Sequence, residues 1–206
     1  MSDHEPTVFV VDDDEPVRDA IAMLLDTVDL PCETFASAQD FLGAYDASRT
    51  GCLVLDIRMP GMSGLELHER LLELQAPVPI VFITGHGDIP MAVEAMKRGA
   101  LDFIRKPFRD QELLDRIQEA LSVDEAQRAE YAGLEQVRAR VASLTPREKE
   151  VFLRVADGQA NKVVAIDLGI SERTVEIHRS QVMQKTGART LADLVRMKIT
   201  LERAGD

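Results

Sequence analysis

Carboxylates that directly follow short apolar runs are the residues of this sequence best suited to chemistry. Asp56 ends the run Cys52-Leu53-Val54-Leu55, and Asp12 and Asp13 follow the run Val8-Phe9-Val10-Val11. Acids that converge on one crevice repel each other unless a cation lies among them. Oxygen ligands in this number suit Mg²⁺ or Mn²⁺, so the pattern predicts a divalent-metal site.

A hydroxyl and an ammonium group occur at comparable places. Thr84 closes the apolar segment 79–84, and Lys106 closes the segment 101–106. A metal ion and a lysine can neutralise charge on phosphoryl oxygens, and a threonine hydroxyl can donate a hydrogen bond to one of them. Asp56 is then the group that attacks phosphorus, which indicates phosphoryl transfer. The sequence contains no P-loop, GxGxxG, HExxH or GxSxG motif that favours another chemistry.

The hydrophobic pattern of residues 7–121 predicts the elements that bring these groups together. Short apolar segments alternate with amphipathic ones, which is typical of a parallel sheet with helices on both faces. Strands are predicted at 7–11, 31–35, 52–56, 79–84 and 101–105, and helices at 15–28, 37–46, 64–74, 90–98 and 110–121. Five such units match the flavodoxin-like strand order 2-1-3-4-5, in which the site lies where strands 1 and 3 diverge.

Charge is unevenly distributed along the 206 residues, a length that predicts one large domain or two small ones. Residues 1–121 carry 10 Lys and Arg against 23 Asp and Glu, a net charge of −13. Residues 144–206 carry 11 against 9, a net charge of +2. The C-terminal third can therefore approach a polyanion such as nucleic acid without strong repulsion.

Composition also indicates where the protein works. No apolar run approaches the roughly 20 residues of a membrane span, and the acidic N-terminal residues lack the basic start and apolar core of a signal peptide. We therefore expect a cytoplasmic protein without membrane contact. The two cysteines, Cys32 and Cys52, lack CxxC spacing and indicate neither a zinc site nor a disulfide framework.

Several motifs carry a family resemblance. They are Val11-Asp12-Asp13-Asp14, Asp56-Ile57-Arg58-Met59-Pro60-Gly61-Met62-Ser63-Gly64, Ile83-Thr84-Gly85-His86-Gly87 and Lys106-Pro107-Phe108. With these motifs, residues 7–121 resemble the receiver domain of a two-component response regulator. The resemblance implies that Asp56 accepts a phosphoryl group from a phosphohistidine of a sensor histidine kinase.

The same resemblance implies a role for each neighbouring group. Asp13, Asp56 and the backbone carbonyl of Arg58 would ligate Mg²⁺, or Mn²⁺ in its place, with Asp12 acting through water. Thr84 and Lys106 would engage the phosphoryl oxygens.

Three further predictions concern regulation. Phe103 occupies the family's switch-aromatic position, although a plain buried aromatic is the alternative. Arg58 and His86 flank the path of hydrolytic water, and we expect them to tune the lifetime of the phosphorylated aspartate. The family commonly dimerises through the face formed by segments 90–98 and 110–121, where Val93 and Lys97 are our candidates for the dimer contact.

Residues 122–143 join this region to the C-terminal part. They contain no proline and one glycine, and Leu134, Val137, Val141 and Leu144 follow 3-4-3 spacing. We expect a mostly helical linker that can dock or extend.

Residues 144–206 have a purely helical pattern. Helices are predicted at 146–156, 160–168, 172–186 and 190–203, the first with Thr145 as N-cap and Glu148 completing a capping box. Gly169 and Ser171 make a tight turn between the second and third of these helices. Helix, glycine turn and helix indicate a helix-turn-helix with 172–185 as recognition helix, although other helical bundles also contain glycine turns.

A second resemblance covers this region. It is carried by Leu144-Thr145-Pro146-Arg147-Glu148, Asn161-Lys162, Ala165, Leu168-Gly169-Ile170-Ser171, Thr174-Val175, His178 and Met183. These residues resemble the LuxR-type DNA-binding domain, and the whole chain resembles the NarL/FixJ class, with Gly85 to Val93 closest to FixJ-like regulators. By position, Glu176, Ile177 and Ser180 should face base edges. The candidates for phosphate contact are Lys162, Arg173, Thr174, His178, Arg179 and Lys185.

These features together predict a transcription factor with a receiver at 1–121, a helical linker at 122–143 and a helix-turn-helix domain at 144–206. Phosphorylation of Asp56 would promote dimerisation, promoter binding and, by default, activation. The expected partners are a sensor histidine kinase, double-stranded DNA, RNA polymerase and a second copy of the chain. It would not be an enzyme beyond its own phosphorylation and dephosphorylation.

Two alternatives remain. One is a Mg²⁺-dependent phosphohydrolase with an aspartyl-phosphate intermediate, which would need a DxD nucleophile on the first strand and a general acid. The other is a DNA-binding regulator with a vestigial receiver that works without phosphorylation.

Overall fold

A computed structural model describes residues 5–76, 78–85 and 89–204, without the side chains of Ile89, Pro90 and Ala92. The chain divides into two compact units, an N-terminal unit that ends at Arg128 and a C-terminal unit that begins at Ala129. Within the described residues, no helix is both long enough and apolar enough to cross a membrane.

The N-terminal unit is built on a five-stranded sheet. Its strands are β1 Thr7–Val11, β2 Cys32–Phe35, β3 Gly51–Asp56, β4 Ile80–Thr84 and β5 Asp102–Arg105. They are all parallel and lie in the order β2-β1-β3-β4-β5, which confirms the predicted topology. Val11 pairs with Leu55, so the residues that follow β1 lie beside the end of β3.

Five helices connect or follow these strands: α1 Glu15–Asp26, α2 Ala38–Ala44, α3 Gly64–Glu73, α4 Ile89–Lys97 and α5 Asp110–Ala142. Alternate residues of a strand point to opposite faces of the sheet. Phe9 and Leu53 accordingly pack in one buried cluster, and Val8 and Val54 in the other. The two clusters hold the strands rigidly, which fixes the positions of the side chains at their ends.

Side-chain caps explain where two of these helices begin. The hydroxyl of Ser37 accepts a hydrogen bond from the Asp40 N–H, and Ser63 forms a capping box with Glu66. Asp110 is the first residue of α5, where its charge lies in the first turn.

Helix α5 is much longer than predicted. The predicted helix 110–121 and the predicted linker 122–143 form one continuous helix of 33 residues. Leu113, Ile117 and Ala120 belong to the core of the N-terminal unit. The helix continues because the segment after residue 121 contains no proline and one glycine, Gly133.

The C-terminal unit contains α6 Pro146–Ala156, α7 Asn161–Leu168, α8 Glu172–Thr186 and α9 Leu191–Arg203. Its core is formed by apolar residues from all four helices, and Val137 and Val141 of α5 pack against it. Thr145 and Glu148 form the predicted capping box. Gly169 ends α7 at a φ of 65°, and Ser171 caps α8, so the predicted helix-turn-helix is confirmed.

Candidate functional site

Three predicted site residues meet at the carboxyl edge of the sheet. The Nζ atom of Lys106 donates to Asp12 Oδ2 at 2.6 Å and to Asp56 Oδ1 at 2.6 Å. Asp12 is fully buried, and Asp56 is 6% exposed. One ammonium group bridges the two acids and holds them next to each other. Their proximity agrees with the predicted strand order.

The second oxygen of Asp56 is also held. Its Oδ2 accepts a hydrogen bond from the Arg58 N–H at 2.7 Å. Burial raises the pKa of Asp56 and outweighs the opposing effects of Lys106 and the Arg58 N–H. Burial alone would lower the pKa of Lys106, but its hydrogen bonds to Asp12 and Asp56 raise the pKa overall. Lys106 therefore remains a cation beside an oriented carboxylate.

Gly64 belongs to the motif that begins at Asp56, but the motif did not indicate that Gly64 helps to position that residue. A Cβ atom on Gly64 would lie 2.1 Å from the backbone oxygen of Asp56. Only glycine lets α3 begin this close to the residue that carries the site. The sequence feature that could have indicated this role is the position of Gly64 directly after Ser63, the N-cap of α3.

Arg18 of α1 was missed as well. Its guanidinium donates to the backbone oxygen of Asp12 at 2.7 Å, and the Asp14 N–H donates to Asp12 Oδ1 at 2.9 Å. These bonds fix the loop between β1 and α1. A lone arginine on a helix gives no sequence signal for such a contact.

Thr84 and Phe103 lie on neighbouring strands. Thr84 is buried at the end of β4, where its hydroxyl donates to the carbonyl of Gly85 at 3.2 Å. Phe103 lies on β5, paired in register with Phe82, and is half-buried against the core. The peptide bond between Lys106 and Pro107 is cis. His86, predicted to tune hydrolysis, lies outside the described residues.

The predicted metal ligands are only partly gathered. Asp12 and Asp56 converge on Lys106, whereas Asp13 and Arg58 are exposed. Across the parts of the chain that the structure describes, no three Asp, Glu, His or Cys side chains lie close enough to hold a metal ion. Two adjacent carboxylates, with a third on the same loop, are nevertheless a donor set that fits Mg²⁺.

The candidate dimer residues lie on the outer face of α4. Val93 is 43% exposed and Lys97 is exposed, while Ala95 is buried and Met91 packs against the core. Helical spacing places these residues on two different faces of α4. A dimer contact through Val93 and Lys97 stays a prediction.

The recognition helix α8 presents a distinct outer surface. Val175 and Val182 are buried in the core, whereas Glu176, Ile177 and Ser180 are exposed. Arg173 is also exposed and pairs with Glu176 at 3.3 Å. The three residues predicted to face base edges therefore share one accessible side of the helix.

The other predicted DNA contacts differ in their surroundings. Lys162 is exposed on α7, and His178 is half-buried on α8. Thr174 contacts the capping Ser171, and Arg179 donates to Asn161 Oδ1 at 3.0 Å. Lys185 donates to both oxygens of Glu148, at 2.9 and 2.7 Å. That ion pair gives Lys185 a packing role between α6 and α8.

Comparison with known proteins places both units in described families. Residues 8–118 match the response regulator receiver domain, and residues 142–198 match the bacterial regulatory proteins of the luxR family. Nodulation protein W of Bradyrhizobium diazoefficiens strain USDA 110 is 48% identical over 194 residues, covering 94% of this chain and 86% of that protein. Transcriptional regulatory protein FixJ of Rhizobium meliloti strain 1021 is 46% identical over 199 residues, covering 97% of each.

Solved structures agree with these matches. The response regulator StyR is 48% identical, with a TM-score of 0.86 over 94% of this chain and 98% of that one. Full-length FixJ from B. japonicum is 42% identical, with a TM-score of 0.60 over 97% of this chain and 98% of that one. The chain thus contains both the bridged acids at the sheet edge and the capped helix-turn-helix. These relatives match it along nearly its whole length. The protein belongs to the NarL/FixJ class of response regulators, in which a receiver domain is joined to a LuxR-type DNA-binding domain.

Proposed function

We propose that phosphorylation of Asp56 controls the binding of the C-terminal helix-turn-helix to promoter DNA. The observation that supports this most directly is the Lys106 ammonium, 2.6 Å from a carboxylate oxygen of both Asp12 and Asp56. A buried carboxylate beside a fixed cation is suited to accept a phosphoryl group, because the cation can stabilise charge on the phosphoryl oxygens. The relatives are regulators of transcription, which favours a regulatory role over an enzymatic one.

The transfer itself needs few parts. The bond between phosphorus and an imidazole nitrogen of the sensor kinase breaks, and a bond between phosphorus and a carboxylate oxygen of Asp56 forms. The Arg58 N–H keeps the carboxylate oriented. Lys106 then exchanges its contact with Asp56 for one with a phosphoryl oxygen and keeps its contact with Asp12.

Receiver domains generally bind Mg²⁺ at the phosphorylation site. In this chain, the carboxylates of Asp12, Asp13 and Asp56 and the carbonyl of Arg58 would hold Mg²⁺ or Mn²⁺, with Asp12 acting through water. The ion supplies positive charge that offsets the phosphoryl oxygens. Asp13 is exposed on the β1–α1 loop, where it can turn toward an ion without leaving a buried partner unpaired.

The response that follows involves Thr84, Phe103 and α4. The Thr84 hydroxyl leaves the Gly85 carbonyl for the phosphoryl group, and the half-buried ring of Phe103 turns inward behind it. The exposed residues Val93 and Lys97 then meet those of a second copy. Arg58 and His86 tune how long the phosphorylated state lasts.

Two helix-turn-helix modules of a dimer then bind paired half-sites in the cytoplasm and act on RNA polymerase, with activation as the default outcome. Glu176, Ile177 and Ser180 lie toward base edges, since they share the accessible side of α8. The remaining candidates, Lys162, Arg173, Thr174, His178, Arg179 and Lys185, lie toward phosphates. A module of net charge +2 binds DNA weakly alone, so dimerisation raises affinity through two linked contacts.

The test compares wild type with Asp56→Asn and with Asp26→Asn, which makes the same chemical change at an exposed position of α1. Each protein is treated with acetyl phosphate and Mg²⁺, then measured by intact mass, by sedimentation and by binding to DNA selected from a random pool with phosphorylated wild type. We expect wild type and Asp26→Asn to gain one phosphoryl group, dimerise and bind more tightly. Equal DNA affinity of wild type with and without the phosphoryl group would overturn the proposal.

A further inference from the structure

A buried acid outside the phosphoacceptor site lies on α5. Asp124 is 2% exposed, and no step of the proposed phosphoryl transfer uses it. Its Oδ2 accepts a hydrogen bond from the Gly51 N–H at 2.9 Å, and its Oδ1 accepts one from Arg128 Nε at 2.8 Å. The carboxylate therefore joins α5 to the first residue of β3.

Arg128 extends this contact to the loop before β3, residues 46–50. Its Nη1 donates to the Ala47 carbonyl at 3.3 Å, and its Nη2 donates to the Arg49 carbonyl. Its side chain is 24% exposed. One planar guanidinium thus holds the acid and two backbone carbonyls at once, through three separate nitrogen atoms in a fixed geometry.

The start of β3 is a crowded place. Gly51 has a φ of 144°, and a Cβ atom there would lie 1.8 Å from the Thr7 carbonyl oxygen. The Thr7 N–H also donates to the Thr50 carbonyl at 3.0 Å. Because β1 and β3 touch this closely, the Gly51 N–H can point to Asp124 only while both strands keep their positions.

Burying a carboxylate is costly unless it is hydrogen-bonded and paired, so these contacts act together. A helix that served only as a linker would not need a buried carboxylate that is hydrogen-bonded to the sheet. The four residues Gly51, Asp124, Arg128 and Arg49 with the Ala47 carbonyl are called the α5 latch below.

We propose that the α5 latch is a coupling element, through which the state of the phosphoacceptor strand is passed to helix α5. The inference rests on the proposed function. Strand β3 begins at Gly51, in the latch, and ends at Asp56, the phosphoacceptor. Helix α5 carries Asp124 and Arg128 and continues to Val137 and Val141, which pack against the core of the C-terminal unit. A strand and a helix joined by a hydrogen bond to a buried carboxylate form a contiguous physical connection.

Two variants weaken the latch differently. Asp124→Asn keeps an oxygen for the Gly51 N–H and removes the charge that pairs with Arg128. Arg128→Lys keeps the charge and removes the fork that reaches both carbonyls. The matched control is Glu119→Gln on the same helix, because Glu119 is exposed and its ion pair in the described part of the chain is with Arg116, which also contacts Asp102.

The experiment uses the full-length chain of each variant, phosphorylated with acetyl phosphate and Mg²⁺. The quantity measured is the fold-gain in affinity for the selected DNA on phosphorylation, with intact mass as a check that Asp56 is modified. We expect both latch variants to accept the phosphoryl group. Their fold-gain in DNA affinity on phosphorylation should be about 10-fold smaller than that of wild type. Glu119→Gln should keep the full gain. A full gain in both latch variants would overturn the coupling role.

A second readout separates the latch from the proposed function. Hydrogen exchange at the Gly51 amide should be about 10-fold faster in Asp124→Asn than in wild type, since a weaker acceptor protects it less. If wild type itself shows no gain in DNA affinity, the proposed function fails. An unchanged Gly51 exchange rate in both latch variants would independently contradict the latch.

Discussion

Lys106 is the residue on which the geometry of the site depends. Its ammonium separates two buried acids that would otherwise repel each other. The motif predicted which residues meet, but their pairing joins positions 50 and 94 residues apart. No local pattern could indicate that Lys106 would bridge both acids rather than stay solvated.

We predict that Lys106→Gln slows phosphorylation by about 100-fold, because a positioned donor to developing charge is removed. The rate is measured by intact mass after addition of acetyl phosphate. Circular dichroism shows whether the variant remains folded. Lys149→Gln, at an exposed position of α6, is the control and should phosphorylate at the wild-type rate. Equal rates for both variants would contradict the role of Lys106.

His68 provides a prediction about pH. It is 3% exposed on α3, packs edge-on against Phe82, and its Nδ1 has no hydrogen-bond partner among the described residues. Burial lowers the pKa of His68 below its usual 6.5, and the nearby Arg98 lowers it further. The folded state therefore favours the neutral ring, and its stabilising contribution is lost as pH falls below 6.5.

The measurement is the urea midpoint at pH 7.5 and pH 5.5 for wild type and His68→Phe. Wild type should lose more stability than the variant between the two pH values, because only wild type must bury a charged ring at the lower pH. An equal loss in both proteins would show that His68 does not titrate in this way. No pattern in the sequence indicated that His68 is buried, since one histidine on a helix is as easily exposed as buried.

At the scale of elements, the hydrophobic pattern was most informative where strands and helices alternate. The strand order and all five strands were predicted within one residue at each end. The pattern placed the end of α5 at residue 121 and predicted a mostly helical segment after it, but it did not predict that the two form one continuous helix. The Asp124 contact that buries the following turn joins residues 73 apart, which periodicity cannot detect.

The start of α3 can be tested with one methyl group. Gly64→Ala places a Cβ atom 2.1 Å from the Asp56 carbonyl oxygen, so we expect a loss of stability of about 2 kcal/mol, as in other overpacked sites. Phosphorylation should slow as well. The control is Gly43→Ala in α2, where a Cβ atom meets nothing within 4 Å and should stabilise the helix by about 0.5–1 kcal/mol. Urea unfolding of both variants measures the difference, and a neutral Gly64→Ala would contradict the steric argument.

At the scale of the whole molecule, charge divides the protein by function. Residues 1–121 have a net charge of −13, and residues 144–206 have a net charge of +2. The acidic part repels DNA, so we expect affinity to come from specific contacts of α8 rather than from overall charge. Composition predicted the uneven charge, whereas the choice among candidate contacts depends on which residues of α8 are exposed.

Two exposed residues of α8 should therefore have different effects on DNA binding. Arg173→Ala should weaken binding to all sequences and lower the slope of log K against log salt by about 1 for each bound module. Ile177→Ala should keep the slope and lose preference at one base pair, by about 1–3 kcal/mol. Titrations at several salt concentrations with selected and single-base-variant DNA distinguish the two. A changed slope for Ile177→Ala would place that residue at the phosphates instead.

The continuity of α5 has a consequence for Gly133, which lies inside a helix rather than in a loop. Glycine in a helix interior is less favourable than alanine by about 1 kcal/mol. A Cβ atom at Gly133 would meet nothing within 4 Å, so Gly133→Ala should strengthen this part of α5 without a steric cost.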